Sequence, residues 1–182
     1  MNSSNKPGQF YWHNPHWLWL SLLVIGVDAG SKWLASHFLQ YARPVELTGF
    51  FNLTLLHNHG AAFSFLANAD GWQRWGFAVL AFIVALGLMV WLLRIPRAQE
   101  GARRGVGMIK VAIALIIGGA IGNLIDRLTL GYVVDFLDFH WHGYHWPAFN
   151  VADSAIVLGV ALLILFELRP STEKPNQEHA SS

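Results

Sequence analysis

The stretch Trp75-Gly76-Phe77-Ala78-Val79-Leu80-Ala81-Phe82-Ile83-Val84-Ala85-Leu86-Gly87-Leu88-Met89-Val90-Trp91-Leu92-Leu93 holds nineteen residues and no charge. Wound as a helix it runs about 28 Å at ~1.5 Å per residue, close to the hydrocarbon thickness of a bilayer. The whole composition agrees. The chain of 182 residues is 54% hydrophobic and 13% charged, whereas a soluble domain of this size carries about 25% charge. Nine Trp and twelve Phe fit aromatic belts at two bilayer interfaces. With no Cys in the chain, disulfides, thiolate metal sites and a cysteine nucleophile are excluded.

Three further apolar segments flank this one. The first runs from Trp17 to about Leu39, broken by Asp28, Ser31 and Lys32; its length and charges read as an uncleaved anchor, not a signal peptide. The third runs from Val111 to Ile125 and the fourth from Ala155 to Phe166. Both are short for a span, and polar residues at their outer ends complete them. Such residues are costly in lipid and normally face the bundle interior. The expected fold is therefore an α-helical integral membrane protein of one domain over 1–168. Its four transmembrane helices fall near 17–39, 72–94, 109–126 and 152–168, with outer loops near 40–71 and 127–151. Residues 169–182 form a polar cytoplasmic tail.

Basic residues set the orientation. Arg94, Arg97, Arg103, Arg104 and Lys110 crowd the loop between segments two and three, while Arg43 and Arg127 are the only Lys or Arg of the other two loops. The crowded loop belongs in the cytoplasm, with both termini on that side. In the outer loops, Val45 to His57 and Tyr132 to Phe139 read as strands of a small extracytoplasmic sheet, which must pack on the helices or the lipid to be stable. Phe63 to Gly71 reads as a short interfacial helix, and Met1 to His16 as a loosely ordered end. Gly118 and Gly122 have the spacing of a close helix contact.

In this topology segment three ends outward at Asp126 and segment four starts inward at Asp153. The two carboxylates, 27 positions apart, share one membrane face. Two carboxylates held close do not both ionise easily, and one raised, one ordinary acid is the equipment for activating water against a peptide carbonyl. Spacing alone leaves helix capping open, with Asp153 as an N-cap. Asp28 and Lys32, four apart on one helix face, read as a buried pair tying helices together. Asn58, Asn123 and Asn150 can both donate and accept toward a peptide backbone or a carboxylate, or simply cap and turn. Arg127 can serve a substrate carbonyl or an acid, or snorkel to the interface. Gly60 reads as a tight turn. Asp135 and Asp138 alternate with apolar residues in a strand; one of them can hydrogen-bond within the site region, but a solvated strand face is the preferred reading. Ser154 lacks a base beside it, so serine chemistry has little support. His140, His142 and His145 lack the further ligands of a metal site and read as an outer loop at the lipid interface. No metal or cofactor is expected.

Five blocks in order resemble one family. Asp28 with Lys32 looks like its DxxxK, Asn58-His59-Gly60-Ala61-Ala62-Phe63-Ser64 like NxGAAFS, and Gly118 to Arg127 like GGAxGNxxDR. Val133-Val134-Asp135-Phe136 looks like VVDF, and Phe149-Asn150-Val151-Ala152-Asp153-Ser154 like FNxAD(S/T). These are the motifs of the lipoprotein signal peptidases (signal peptidase II) of bacteria, covering about 17–168. The resemblance implies a membrane aspartic endopeptidase that cuts prolipoproteins just before a diacylglyceryl-modified cysteine, with Asp126 and Asp153 catalytic. It makes Asn58, Gly60, Asn123, Arg127, Asn150 and Ala152 substrate-binding or orienting residues, and Asp28 with Lys32 a supporting polar pair. It also implies a helical membrane core with an outer β-cradle in the bacterial inner (cytoplasmic) membrane, the site at the periplasmic face, and sensitivity to globomycin-type cyclic peptides. The expected partners are prolipoproteins and membrane phospholipid, with no nucleic acid, for a monomer. The rival from another class is a small proton- or ion-coupled transporter, since membrane acids often mark ion paths; the two acids at one face, not at the midplane, and the lack of a repeat weigh against it.

Overall fold

A computed structural model of the protein describes residues 14–60, 72–96 and 103–168. A single 3-10 turn, Pro15–Trp17, leads into α1 (Leu18–Phe38); then come β1 (Val45–Thr48), β2 (Phe51–Asn58), α2 (Trp72–Arg94), α3 (Arg103–Thr129), β3 (Val133–Trp141), β4 (Tyr144–His145) and α4 (Val151–Glu167). The interfacial helix expected at Phe63 to Gly71 and the tail from Arg169 lie outside the described residues.

The helices sort by what they touch. In α3, 61% of the most apolar window is buried, against 17% in α2. So α3 is the central post, packed by α1, α2 and α4, and α2 turns most of its surface outward. Its Val79, Leu80, Phe82 and Ile83 are exposed, as are Leu22, Leu23 and Val27 of α1 and Val157, Leu158 and Leu165 of α4. Contiguous exposure of this kind is what a bilayer, not water, would cover. Three described helical stretches are long and apolar enough to cross a membrane: Pro15–Phe38, Arg74–Arg94 and Gly105–Thr129. The fourth, α4, has 17 residues and is short of that length.

Gly118 and Gly122 do mark a close contact. A Cβ on Gly118 would lie 2.7 Å from Val24 Cβ and 2.9 Å from the Ser21 carbonyl, and one on Gly122 would lie 2.7 Å from Asp28 Oδ2. Only hydrogen at these two positions lets α1 lie flat on α3. At the other end of the bundle Leu92, Ile113 and Ile117 are buried together with Trp17, Leu88 and Leu163 around them.

Two expectations for that end are corrected. The third helix begins at Arg103, so Arg103, Arg104 and Lys110 belong to α3 and not to a loop. The chain around Asn14 is also not loose: Asn14 is buried, donates to the carbonyls of Leu92 (3.1 Å) and Ile95 (2.7 Å), and accepts from Lys110 Nζ (2.9 Å). Carbonyls at a helix end need donors, and this side chain supplies them to α2.

The four strands form one antiparallel sheet in the order β1-β2-β3-β4. Although β2 and β3 are neighbours, α2 and α3 intervene between them in the chain. Their register runs from Asn58↔Val133 at the helix end to Phe51↔Phe139 at the far end. Leu55, Val134 and Phe136 pack on Ala35 of α1, which is the support a small sheet requires. The hairpin between β3 and β4 turns through His142 (φ 48°) and Gly143 (φ 83°), a two-residue loop with both φ positive, which suits the twist of paired strands. Phe149 bridges to Leu137, its carbonyl accepting from the amides of Phe136 and Leu137. That bridge delivers Asn150, the first residue of the α4 cap, against the middle of β3.

Candidate active site

The polar residues singled out in the sequence meet where α1, α3, α4 and the near ends of β2 and β3 converge. Lys32 is the hub. Its Nζ lies 2.8 Å from Asp28 Oδ2, 3.0 Å from Asp126 Oδ2 and 3.0 Å from Asn123 Oδ1. Asp28 spends its other oxygen on the backbone N–H of Ala152 at 2.8 Å. The pair is buried, with side chains 1% and 4% exposed. An isolated buried charge would be prohibitive, and here the ammonium and the Asp28 carboxylate face each other directly. Asp28 therefore ties α1 to the first turn of α4, and Lys32 ties α1 to α3.

Asn150 is the second hub. It is the N-cap of α4, accepting from the Asp153 amide at 2.9 Å, while Asp153 Oδ2 accepts from the Asn150 amide at 3.3 Å. This reciprocal capping box makes Asp153 the N3 residue and Asn150 the cap, which corrects the capping role considered for Asp153. The Asn150 amide nitrogen also donates to Asp135 Oδ1 (2.7 Å), the Val134 carbonyl (3.2 Å) and Asn123 Oδ1 (3.3 Å). Asn123 Nδ2 donates to Asp153 Oδ1 at 2.7 Å. Each Asn fixes the rotamer of a carboxylate without neutralising it.

Asp135 departs from the strand-face reading preferred for it in the sequence. It is not on a solvated face: it is 3% exposed. Asn150 holds one oxygen and Asn58 Nδ2 the other, at 3.0 Å. Burial and then the neighbouring charge of Asp153 push its carboxyl up to about 7, against the amide hydrogen bonds of Asn58 and Asn150 and the more distant pull of Lys32. A desolvated acid beside a second carboxylate keeps its proton. Asp138, three positions on, is also buried; partial burial opposes its ionisation, but hydrogen bonds from His145, Thr54 and Asn52 hold its carboxyl below the usual range. It ties the far end of the sheet together, away from the convergence.

Asp135 and Asp153 are linked through Asn150, and Asp135 lies in the field of Asp153; Asp126 and Asp153 are linked through Lys32 and Asn123. Asp126 Oδ2 also accepts from the Val134 amide at 3.1 Å, so it anchors the start of β3 to α3. What separates Asp126 from Asp135 is the Lys32 contact: the ammonium that pairs with Asp28 also lies 3.0 Å from Asp126, whereas the hydrogen-bond donors on Asp135 are the side-chain amides of Asn58 and Asn150.

The remaining site residues sit around this core. Asn58 Oδ1 accepts from the Gly60 amide at 2.8 Å, and Gly60 adopts φ 97°, a left-handed turn that suits glycine. Arg127 donates to the Asn123 carbonyl at 3.2 Å, with its guanidinium 5.6 Å from the Phe77 ring centre. It lies within the field of Asp153, Asp135 and Asp126. Ser154 Oγ donates to the Asn150 carbonyl at 2.9 Å, a back-bond to the carbonyl four residues earlier and not a nucleophile's arrangement. Among the described residues no buried side-chain oxygen or nitrogen lacks a partner, and no cluster of three His, Asp or Glu has the geometry of a metal site.

The sequence profile described as signal peptidase (SPase) II matches residues 20–169. The chain belongs to the signal peptidase II family. Curated relatives named lipoprotein signal peptidase include one from Acinetobacter baumannii, 51% identical and covering 98% of this chain and 99% of its own. Another, from Aeromonas hydrophila, is 52% identical over 87% of this chain and 91% of its own. Among solved structures, one described as a bacterial membrane enzyme solved by the in meso method at 2.3 Å superposes with a TM-score of 0.72 at 29% identity, covering 93% of this chain and 98% of that one. Membership in the signal peptidase II family makes the chain a membrane protein and gives the transporter reading no support.

Proposed function

We propose that this protein removes the signal peptide from diacylglyceryl-modified prolipoproteins by aspartic peptidase chemistry, with Asp135 and Asp153 as the reacting pair. The observation that carries the assignment is the raised carboxyl of Asp135, buried beside the charge of Asp153 and held only by neutral amides. The family match and the relatives named lipoprotein signal peptidase support the substrate class.

In this reading Asp153, oriented by Asn123 and by the capping box, takes a proton from a water molecule. The water oxygen attacks the carbonyl carbon on the amino side of the lipidated cysteine. Protonated Asp135 donates a hydrogen bond to the carbonyl oxygen as it gains charge. Collapse of the tetrahedral intermediate breaks the C–N bond, and the proton held by Asp153 passes to the leaving nitrogen. Neither a metal nor a covalent intermediate enters the scheme. Asn58, Gly60, Arg127 and Ala152 line the backbone path of the substrate, while Asp28, Lys32 and Asp126 form an ion cluster that positions α1, α3 and α4. Four spans with both termini in the cytoplasm would put this site at the outer face of the inner membrane, where α4, capped by Asn150, begins in the polar layer.

The test is cleavage of a diacylglyceryl-modified prolipoprotein by purified protein. Asp135→Asn and Asp153→Asn should each lose about 100-fold or more in rate, the scale of a lost acid or base, while remaining folded. Asp126→Asn should lose less, since its carboxylate is already committed to Lys32. If Asp126→Asn is as dead as Asp153→Asn and Asp135→Asn stays active, the pair is Asp126 and Asp153 instead.

A further inference from the structure

The last turn of α3 carries Asp126 and Arg127, and it is closed from outside its own helix. The final carbonyls of an α-helix have no intrahelical donor. The Asp126 carbonyl accepts from the amides of Leu130 (2.8 Å) and Gly131 (3.2 Å), and the Ile125 carbonyl from Thr129 Oγ1 (2.8 Å). The next two are taken by one side chain of another helix: Arg74 Nε donates to the Arg127 carbonyl at 2.7 Å, and Arg74 Nη2 to the Leu128 carbonyl at 3.0 Å. The guanidinium rests 4.9 Å from the Trp75 ring centre. A Cβ on Gly131, where φ is 88°, would come within 3.1 Å of Arg74 Nη1, so the turn after α3 leaves room for this fork. One turn further along α2, Phe77 lies under the Arg127 guanidinium and would meet a Cβ on Gly60 at 2.7 Å. The first turns of α2 thus hold the Arg127 backbone with Arg74, its side chain with Phe77, and the Gly60 turn with the same ring.

We infer that Arg74 is a positioning residue of the peptidase site, its forked guanidinium fixing the end of α3 so that Arg127 points into the group of carboxylates. The inference rests on the peptidase reading above. A planar fork with two donors matches two adjacent carbonyls as a lysine ammonium cannot, and a displacement of about 1 Å at a binding group can cost as much as about 100-fold in rate.

The experiment is a double-mutant cycle on the full chain in proteoliposomes, following cleavage of a diacylglyceryl-modified prolipoprotein against pH. Arg74→Ala should lower kcat/KM by about 10-fold or more. It should also move the alkaline limb set by Asp135 to higher pH. The charged groups facing that acid are Asp153 from α4, Lys32 from α1 and Arg127 from α3; letting the Arg127 cation drift removes a charge that favours ionised Asp135. On an Arg127→Gln background, Arg74→Ala should cost nothing further and move the limb no further, because two residues acting through one contact are not additive. Arg74→Gln, which keeps an amide donor without the charge, should return part of the rate, and it carries the same comparison if Arg74→Ala does not fold. Equal losses on both backgrounds, or a limb that stays in place, overturn the inference while leaving the peptidase reading intact. Wild-type protein that cleaves nothing overturns the peptidase reading, and this inference with it.

Discussion

At the residue scale the proposed pairing of Asp135 with Asp153 turns on the partners of each acid. Asp126 and Asp135 are nine positions apart, both next to the first residues of β3, and sequence gives each a motif of its own. The side chains separate them: Lys32 contacts Asp126 at 3.0 Å, whereas the hydrogen-bond donors on the Asp135 carboxyl are the side-chain amides of Asn58 and Asn150. The consequence is a pH dependence. With the Asp135 carboxyl raised from 3.8 to about 7, a reaction that needs its proton should have kcat/KM falling as pH rises past about 7. The same shift acts on folding. The folded chain binds this proton more tightly than the unfolded chain, so the stabilisation is fully present below about pH 3.8 and is lost as pH rises through about 7. In Asp135→Asn that slope should vanish from thermal unfolding measured in detergent across pH 4 to ~8; an unchanged slope would assign the proton elsewhere. Sequence reading reached Asp153, Asn123, Asn150 and the Asp28–Lys32 pair because motif and helix register both point inward. It preferred a wet face for Asp135 because alternation along a strand predicts one, and the pairing of β3 with β2 and the return of Phe149 against it cover that face.

At the element scale the helices read well and their ends read poorly. The charge-free stretch of α2 and the broken apolar run of α1 were plain in composition. The start of α3 was not, because Lys110 is polar yet buried against Asn14, a contact between residues 96 positions apart. The two-stranded end of the sheet was also hidden: β4 exists through the paired positive φ values of His142 and Gly143, and the stretch reads only as a His- and aromatic-rich loop. Packing of α1 on α3 gives a sharp prediction. Gly118→Leu puts a side chain where Val24 Cβ and the Ser21 carbonyl already lie, and should lower the unfolding temperature and the folded yield. Gly87→Leu in α2, where nothing lies within 4 Å, should be tolerated. Equal tolerance at both positions would mean that α1 is not seated on α3 as described. At the start of α4, Asn150→Ala removes an N-cap, about 1 kcal/mol, and leaves Asp135 without one of its donors, about 1–3 kcal/mol more for a buried partner. A loss of at least about 2 kcal/mol in unfolding free energy is expected; a change inside ~0.5 kcal/mol would show that Asn150 is not the joint between α4 and the sheet.

At the scale of the whole molecule, the site works only if its opening meets the substrate at the right face of the membrane. The polar convergence lies at one end of the bundle, where α1 ends, α3 ends and α4 begins; the Asn14–Lys110 contact lies at the other, beside the end of α2 and the start of α3. Arg94, at the close of α2, and Lys110 share that second end, so on the proposed topology the positive-inside bias would put it in the cytoplasm and the carboxylates outside. The absence of Cys makes this directly measurable, since a single introduced thiol has no background. His142→Cys sits at the exposed tip of the β3–β4 hairpin, and Gly107→Cys near the start of α3, where a side chain meets no neighbour within 4 Å. In intact cells a membrane-impermeant maleimide that reaches the periplasm should label His142→Cys and spare Gly107→Cys until the inner membrane is opened. The reverse pattern would put Asp135 and Asp153 in the cytoplasm, where no translocated signal peptide reaches them. Labelling of both sites in intact cells would mean that α3, the helix that runs between them in the chain, does not separate them across the bilayer.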